Sequence, residues 1–94
     1  VVLNVTESYL QGCISFGDST VATFTNVDFV AGDYNYFRPY GEVTLTNCDF
    51  TGMEIDLGSQ KAGYKATFVN CTFDGAALTE ANLSNAAGKN YEIK

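Results

Sequence analysis

The chain has 94 residues, enough for one domain with a modest core, and its 46% hydrophobic and 14% aromatic content places it outside the disordered class. Eleven acidic residues against five basic give a net charge of −6, which argues against nucleic acid as a direct ligand, because phosphate contacts need a basic surface. No apolar run approaches membrane-spanning length, there is no basic n-region of a signal peptide, and without histidine or a Cys-Xaa-Xaa-Cys pair no metal or other cofactor is expected.

Along the chain one short pattern returns four times. Thr6-Glu7-Ser8-Tyr9-Leu10-Gln11-Gly12 aligns without a gap on Thr46-Asn47-Cys48-Asp49-Phe50-Thr51-Gly52. Phe24-Thr25-Asn26-Val27-Asp28-Phe29 lies between them, and Phe68-Val69-Asn70-Cys71-Thr72-Phe73-Asp74-Gly75 follows. Val5, Phe24, Leu45 and Phe68 thus share one position, at offsets of 19, 21 and 23 residues, and Leu10, Phe29, Phe50 and Phe73 share another. A unit this short cannot bury its own apolar side chains. Copies must stack and share a core, which defines a solenoid.

Within a copy, alternation puts Val43, Leu45, Cys48 and Phe50 inside and Thr44 and Asp49 outside, with the phase slipping at Thr46-Asn47. Two consecutive outward residues mean a corner, and Asn tolerates the left-handed backbone found there. Asn26, Asn47 and Asn70 are expected to stack as an amide ladder. After Gly52 a third strand reads Met53, Ile55 and Leu57 inward. Its expected counterparts are Ile14 and Phe16 in the first copy, Tyr34 and Tyr36 in the second and Leu78 in the fourth. Tyr91-Glu92-Ile93-Lys94 alternates like the first strand of a fifth copy, and Val1-Val2-Leu3 is already strand-like. Residues 1–94 therefore read as one β-solenoid domain that is a piece of a longer protein, with open ends suited to end-to-end self-association.

The coil length, asparagine ladder and stacked aliphatic and aromatic interior resemble the right-handed parallel β-helices of polysaccharide lyases and bacterial surface or secreted proteins. The resemblance implies an all-β, short right-handed parallel β-helix of about four coils with 19–23 residues per coil. Locally, Cys71-Thr-Phe-Asp-Gly, Ala76-Ala-Leu-Thr-Glu and Ala81-Asn-Leu-Ser-Asn read as consecutive five-residue units and are similar to the pentapeptide-repeat family.

Chemistry is sparse. Cys48 and Cys71 share an inward position in adjacent coils, as free core thiols or as a bridge, with Cys13 left over. Asp28 and Asp49 stack, with Asp74 close by, as the carboxylates an enzyme would have to use; no catalytic residue is assigned. Outward threonines in Thr23-Phe-Thr25, Thr44-Leu-Thr46 and Thr67-Phe-Val69 form a flat array that resembles the faces of β-helical ice-binding proteins, although threonine is also an ordinary residue for the wet side of a strand.

The segment Asp33 to Gly41 holds the only arginine, the only proline and three of the six tyrosines. Tyr34, Tyr36, Phe37, Arg38 and Tyr40 are the expected ligand-binding residues, since rings supply rigid apolar area and a guanidinium orients polar groups. The plain alternative turns Tyr34 and Tyr36 inward as strand residues, with Phe37 and Tyr40 covering the flank. The reading that follows is a non-catalytic, extracellular or cell-surface, adhesin-like module whose partner is a carbohydrate or a surface protein. A fragment of a carbohydrate-active enzyme is the alternative. An acidic pentapeptide-repeat-like mimic of DNA is a further one.

Overall fold

A computed structural model describes residues 1–94. Each turn of the chain contributes segments to two parallel sheets. The larger contains β1 (Val2–Gln11), β3 (Val21–Val30), β5 (Glu42–Thr46), β6 (Asp49–Thr51), β8 (Ala66–Val69), β9 (Thr72–Phe73) and β12 (Tyr91–Ile93), closed at one edge by β10 (Ala76–Ala77). The smaller stacks β2 (Ile14–Phe16), β4 (Tyr36–Pro39), β7 (Glu54–Asp56) and β11 (Leu83–Ser84). The chain is a β-solenoid of about four turns, with every pairing parallel except β9 with β10.

The repeat positions are spatial columns. Val5, Phe24, Leu45, Phe68 and Ile93 pair in sequence, so β12 does begin a fifth turn. Leu10, Phe29, Phe50 and Phe73 form the second column. Asn26, Asn47 and Asn70 sit at the corner with φ of 56°, 53° and 51°, and Glu7 takes the same place in the first turn at 50°. The corner side chains bond along the axis: Asn26 Nδ2 donates to Glu7 Oε1 at 2.6 Å and Asn70 Nδ2 to Asn47 Oδ1 at 2.6 Å. Gly12, Gly52 and Gly75 close the second straight segment with φ of 102°, 69° and 81°, which explains the glycine at that place in three of the four copies.

The two sheets enclose sixteen buried apolar residues. Aromatic rings run through the centre, with Phe29 and Phe50 stacked at 4.9 Å and Phe37 meeting both edge-on at 5.2 and 5.7 Å. Cys48 and Cys71 are buried and free, each sulfur lying within 3.5 Å of carbonyl oxygens of its own and the preceding turn. The hydrogen bond with Cys71 and burial both raise the Cys48 thiol above the ordinary range, whereas Cys13 is exposed. A maleimide reagent is therefore expected to label one thiol of the native protein and all three after denaturation. Two or three labelled sites in the native state would refute the buried placement.

The third strand differs from expectation. Ile55 pairs with Phe37, not Tyr36, and Glu54 with Tyr36, so Phe37 points in and Tyr36 out. Leu83, not Leu78, continues this column, while Ile14 begins it. The reason is loop length. From the second column to the third there are 4 residues in the first turn (Leu10 to Ile14), 8 in the second (Phe29 to Phe37), 5 in the third (Phe50 to Ile55) and 10 in the fourth (Phe73 to Leu83). An odd difference, such as 8 against 5, turns every side chain of the strand to the other face. Leu78 is still buried, delivered by the β9–β10 hairpin, where its N–H donates to the Cys71 carbonyl at 3.1 Å.

Candidate binding face on the smaller sheet

Because Phe37 and Pro39 face the core, Tyr36 and Arg38 project from the opposite side of β4, and the exposed Tyr40 follows directly after the strand. Of the five expected residues, Tyr36 and Arg38 share one strand face and Tyr40 adjoins its end. Tyr34 is 68% exposed at the preceding corner, beside a broad shallow depression that also involves Gln11, Cys13 and Asp33. Phe37 is 0% exposed and is corrected to a core residue, unable to touch a ligand. Tyr36 points away from the core, contrary to an inward strand position, because its neighbour Phe37 takes the inward place.

Arg38 is held on two sides. Its guanidinium carbon lies 4.2 Å above the centre of the Tyr36 ring, and its Nε donates to Asp56 Oδ2 at 3.2 Å. Asp56 is fixed in turn, with Oδ1 accepting from the Gly58 N–H at 2.8 Å and from Asn85 Nδ2 at 3.0 Å. Burial pushes the Asp56 carboxyl up, but the bonds from Asn85, Gly58 and Arg38 outweigh it and hold the group below the usual carboxylate range. Ser15 Oγ donates to the Arg38 carbonyl at 3.0 Å, so four turns of the solenoid converge on one arginine. Next to it, the Cys13 thiol raises the Tyr36 phenol above its ordinary value. The loop leading into β4 is tied down by Asn35, whose Nδ2 donates to the Gly52 carbonyl at 3.1 Å and whose own carbonyl accepts from the Glu54 N–H.

Two other surfaces singled out by sequence are ordered as well. Thr23, Thr44 and Thr67 lie in register, as do Thr6, Thr25 and Thr46, with Asn4, Val69 and Glu92 ending the rows. Asp28 and Asp49 are register partners. Asp49 is an occupied acceptor. It receives bonds from Thr72 Oγ1, Thr51 Oγ1 and the Gly75 N–H. Burial pushes Asp49 up, but those donors outweigh it and hold it below the usual carboxylate range. Asp74 is engaged as well, its Oδ1 accepting from the Gly52 N–H at 3.1 Å.

Sequence reasoning missed Asp56 and Asn85. They lie 18 and 47 residues from Arg38 and have no motif in common with it. Only the register of β4 on β7, in which Phe37 pairs with Ile55, brings Arg38 beside Asp56, and alternation does not carry that register across loops of unequal length.

Neither the curated proteins nor the solved structures contain a match to this chain. Residues 65–87 match the family model of pentapeptide repeats in eight copies, a span that runs from the start of β8 past β11, so the solenoid's fourth turn is similar to pentapeptide-repeat proteins.

Proposed function

We propose that this solenoid is a non-catalytic structural and binding module of an extracellular or cell-surface protein, and that it engages carbohydrate or a surface protein through Tyr36, Arg38 and Tyr40, with Tyr34 at the rim. The observation that supports this reading is the preorganised arginine. Its position is fixed by Asp56 and the Tyr36 ring before any ligand arrives, and Nε is its only nitrogen bonded to the protein. The terminal nitrogens remain free to donate in the fork geometry that recognises paired oxygens. Tyr40, 39% exposed, adds rigid apolar area just beyond the end of the strand. Holding these groups on a strand with a packed aromatic core behind it lowers the ordering cost of binding.

The test is a glycan array, together with a panel of surface proteins, probed with the native chain and with Arg38→Ala, Tyr40→Ala and Thr67→Ala. A specific signal is expected that falls at least about tenfold in the first two, as for residues worth about 1.4 kcal/mol or more. Thr67→Ala, on the other sheet, should leave it unchanged. A signal indifferent to Arg38 and Tyr40 would overturn the assignment of this face.

A further inference from the structure

We infer that the cleft between the turns at residues 60–64 and 88–90 is a binding site for a small oxyanion, a carboxylate or phosphate group. The Lys61 N–H donates to the Tyr40 carbonyl at 2.9 Å, so the cleft adjoins the end of β4, but the inference does not rest on the function proposed for the β4 face. The cleft has a volume of about 240 Å³. Two of its eight lining residues are lysines and none is acidic, in a chain whose net charge is −6.

An orphaned donor marks the site. Gln60 is 3% exposed, and its side-chain Nε2 is buried with no hydrogen-bond partner, the only side-chain atom in the molecule in that state. Buried amides are nearly always satisfied, so an unpaired one signals a missing acceptor. Gln60 is among the residues that line the cleft, and rotation of its terminal amide exchanges the positions of Nε2 and Oε1. The two ammonium groups are positioned but not saturated. Lys89 Nζ donates to the Gln60 main-chain carbonyl at 3.0 Å, which bridges the two turns, and Lys61 Nζ donates to Asp18 Oδ2 at 2.7 Å. Each ammonium carries three donors and has used one. Tyr64 is also among the lining residues. Donors outnumber acceptors among these side chains, and two of the donors are cationic. That chemistry selects an anion with several oxygens over a cation or an apolar ligand.

The experiment is an NMR titration of the isotope-labelled chain with sodium phosphate, sodium acetate and neutral acetamide at fixed ionic strength. Saturable shifts confined to the amides of residues 60–64 and 88–90 are expected with phosphate or acetate and not with acetamide. Whichever anion saturates at lower concentration identifies the headgroup. Lys89→Gln should weaken binding about tenfold, and Lys89→Arg should restore it. Lys61→Gln is the second variant. The Lys61 side chain is 67% exposed, so the fold does not depend on it. Shifts that rise linearly without saturation, that cluster at Arg38 instead, or that are equal in the native chain and both glutamine variants would each overturn the site.

Discussion

Replacing Phe50 by alanine is expected to remove about 3–5 kcal/mol of stability, a large share of what a domain of this size has. Phe50 is 0% exposed and lies at the crossing of both interior directions. Along the axis it stacks on Phe29 at 4.9 Å with an angle of 7° between planes, and Phe68 meets it edge-on at 6.4 Å. Across the interior it meets Phe37 edge-on at 5.7 Å. A truncated side chain leaves a cavity walled by rings anchored in three different strands, none of which can move in without breaking its own ladder. The melting temperature should fall by about 20 °C. Phe73→Ala supplies the control, because Phe73 occupies the same column one turn later but is only half-buried at the end of the stack. Its loss should cost about 1–2 kcal/mol, in proportion to the smaller apolar area it withdraws from water. Equal melting temperatures for the two variants would mean that the columns do not form a continuous core.

That contrast also explains which parts of the fold were readable in sequence. The columns Val5–Phe24–Leu45–Phe68 and Leu10–Phe29–Phe50–Phe73 were legible because the segment between them has constant length, with one left-handed corner residue in each turn. The same corner chemistry recurs as Glu7, Asn26, Asn47 and Asn70, so register could be counted. Beyond that segment the loops vary in length, and alternation on either side of a loop carries no information about phase across it. Hence Phe37 was expected on the ligand-binding face and lies in the core, while Leu83 and not Leu78 completes the smaller sheet's inner column. The binding face was half legible. Tyr36, Arg38 and Tyr40 stood out by composition, but the groups that fix the arginine come from other turns. Gln60 gave no signal at all, because an unsatisfied amide exists only once its neighbours are packed.

The second large effect is expected at Asp56, the residue that joins the fold to the proposed binding face. Asp56→Ala should cost about 3 kcal/mol, since it leaves the Gly58 N–H, the Asn85 amide and the Arg38 Nε without their shared acceptor. The Asp56 side chain is 10% exposed, so water can replace only part of what is lost, whereas Arg38 at 34% can recover some solvation, which keeps the cost below that of breaking a fully buried ion pair. The same residue predicts a direction in pH. A carboxyl whose folded pKa lies below its unfolded value of 3.8 binds fewer protons in the native state. Its contribution is therefore complete above that value and is lost as pH falls through the depressed folded one. Urea midpoints measured from neutrality downward should be flat to about pH 5 and then decline, with Asp49 contributing in the same direction. In Asp56→Ala the decline should be shallower, because one of the groups that takes up a proton on unfolding is gone. It should not vanish while Asp49 remains. A variant with an undiminished acid slope would show that Asp56 is not held in its charged form by these three donors. The free arginine offers a further check: released from Asp56, Arg38 loses its fixed orientation, so any ligand of the β4 face should bind more weakly to Asp56→Ala at neutral pH even where the protein remains fully folded.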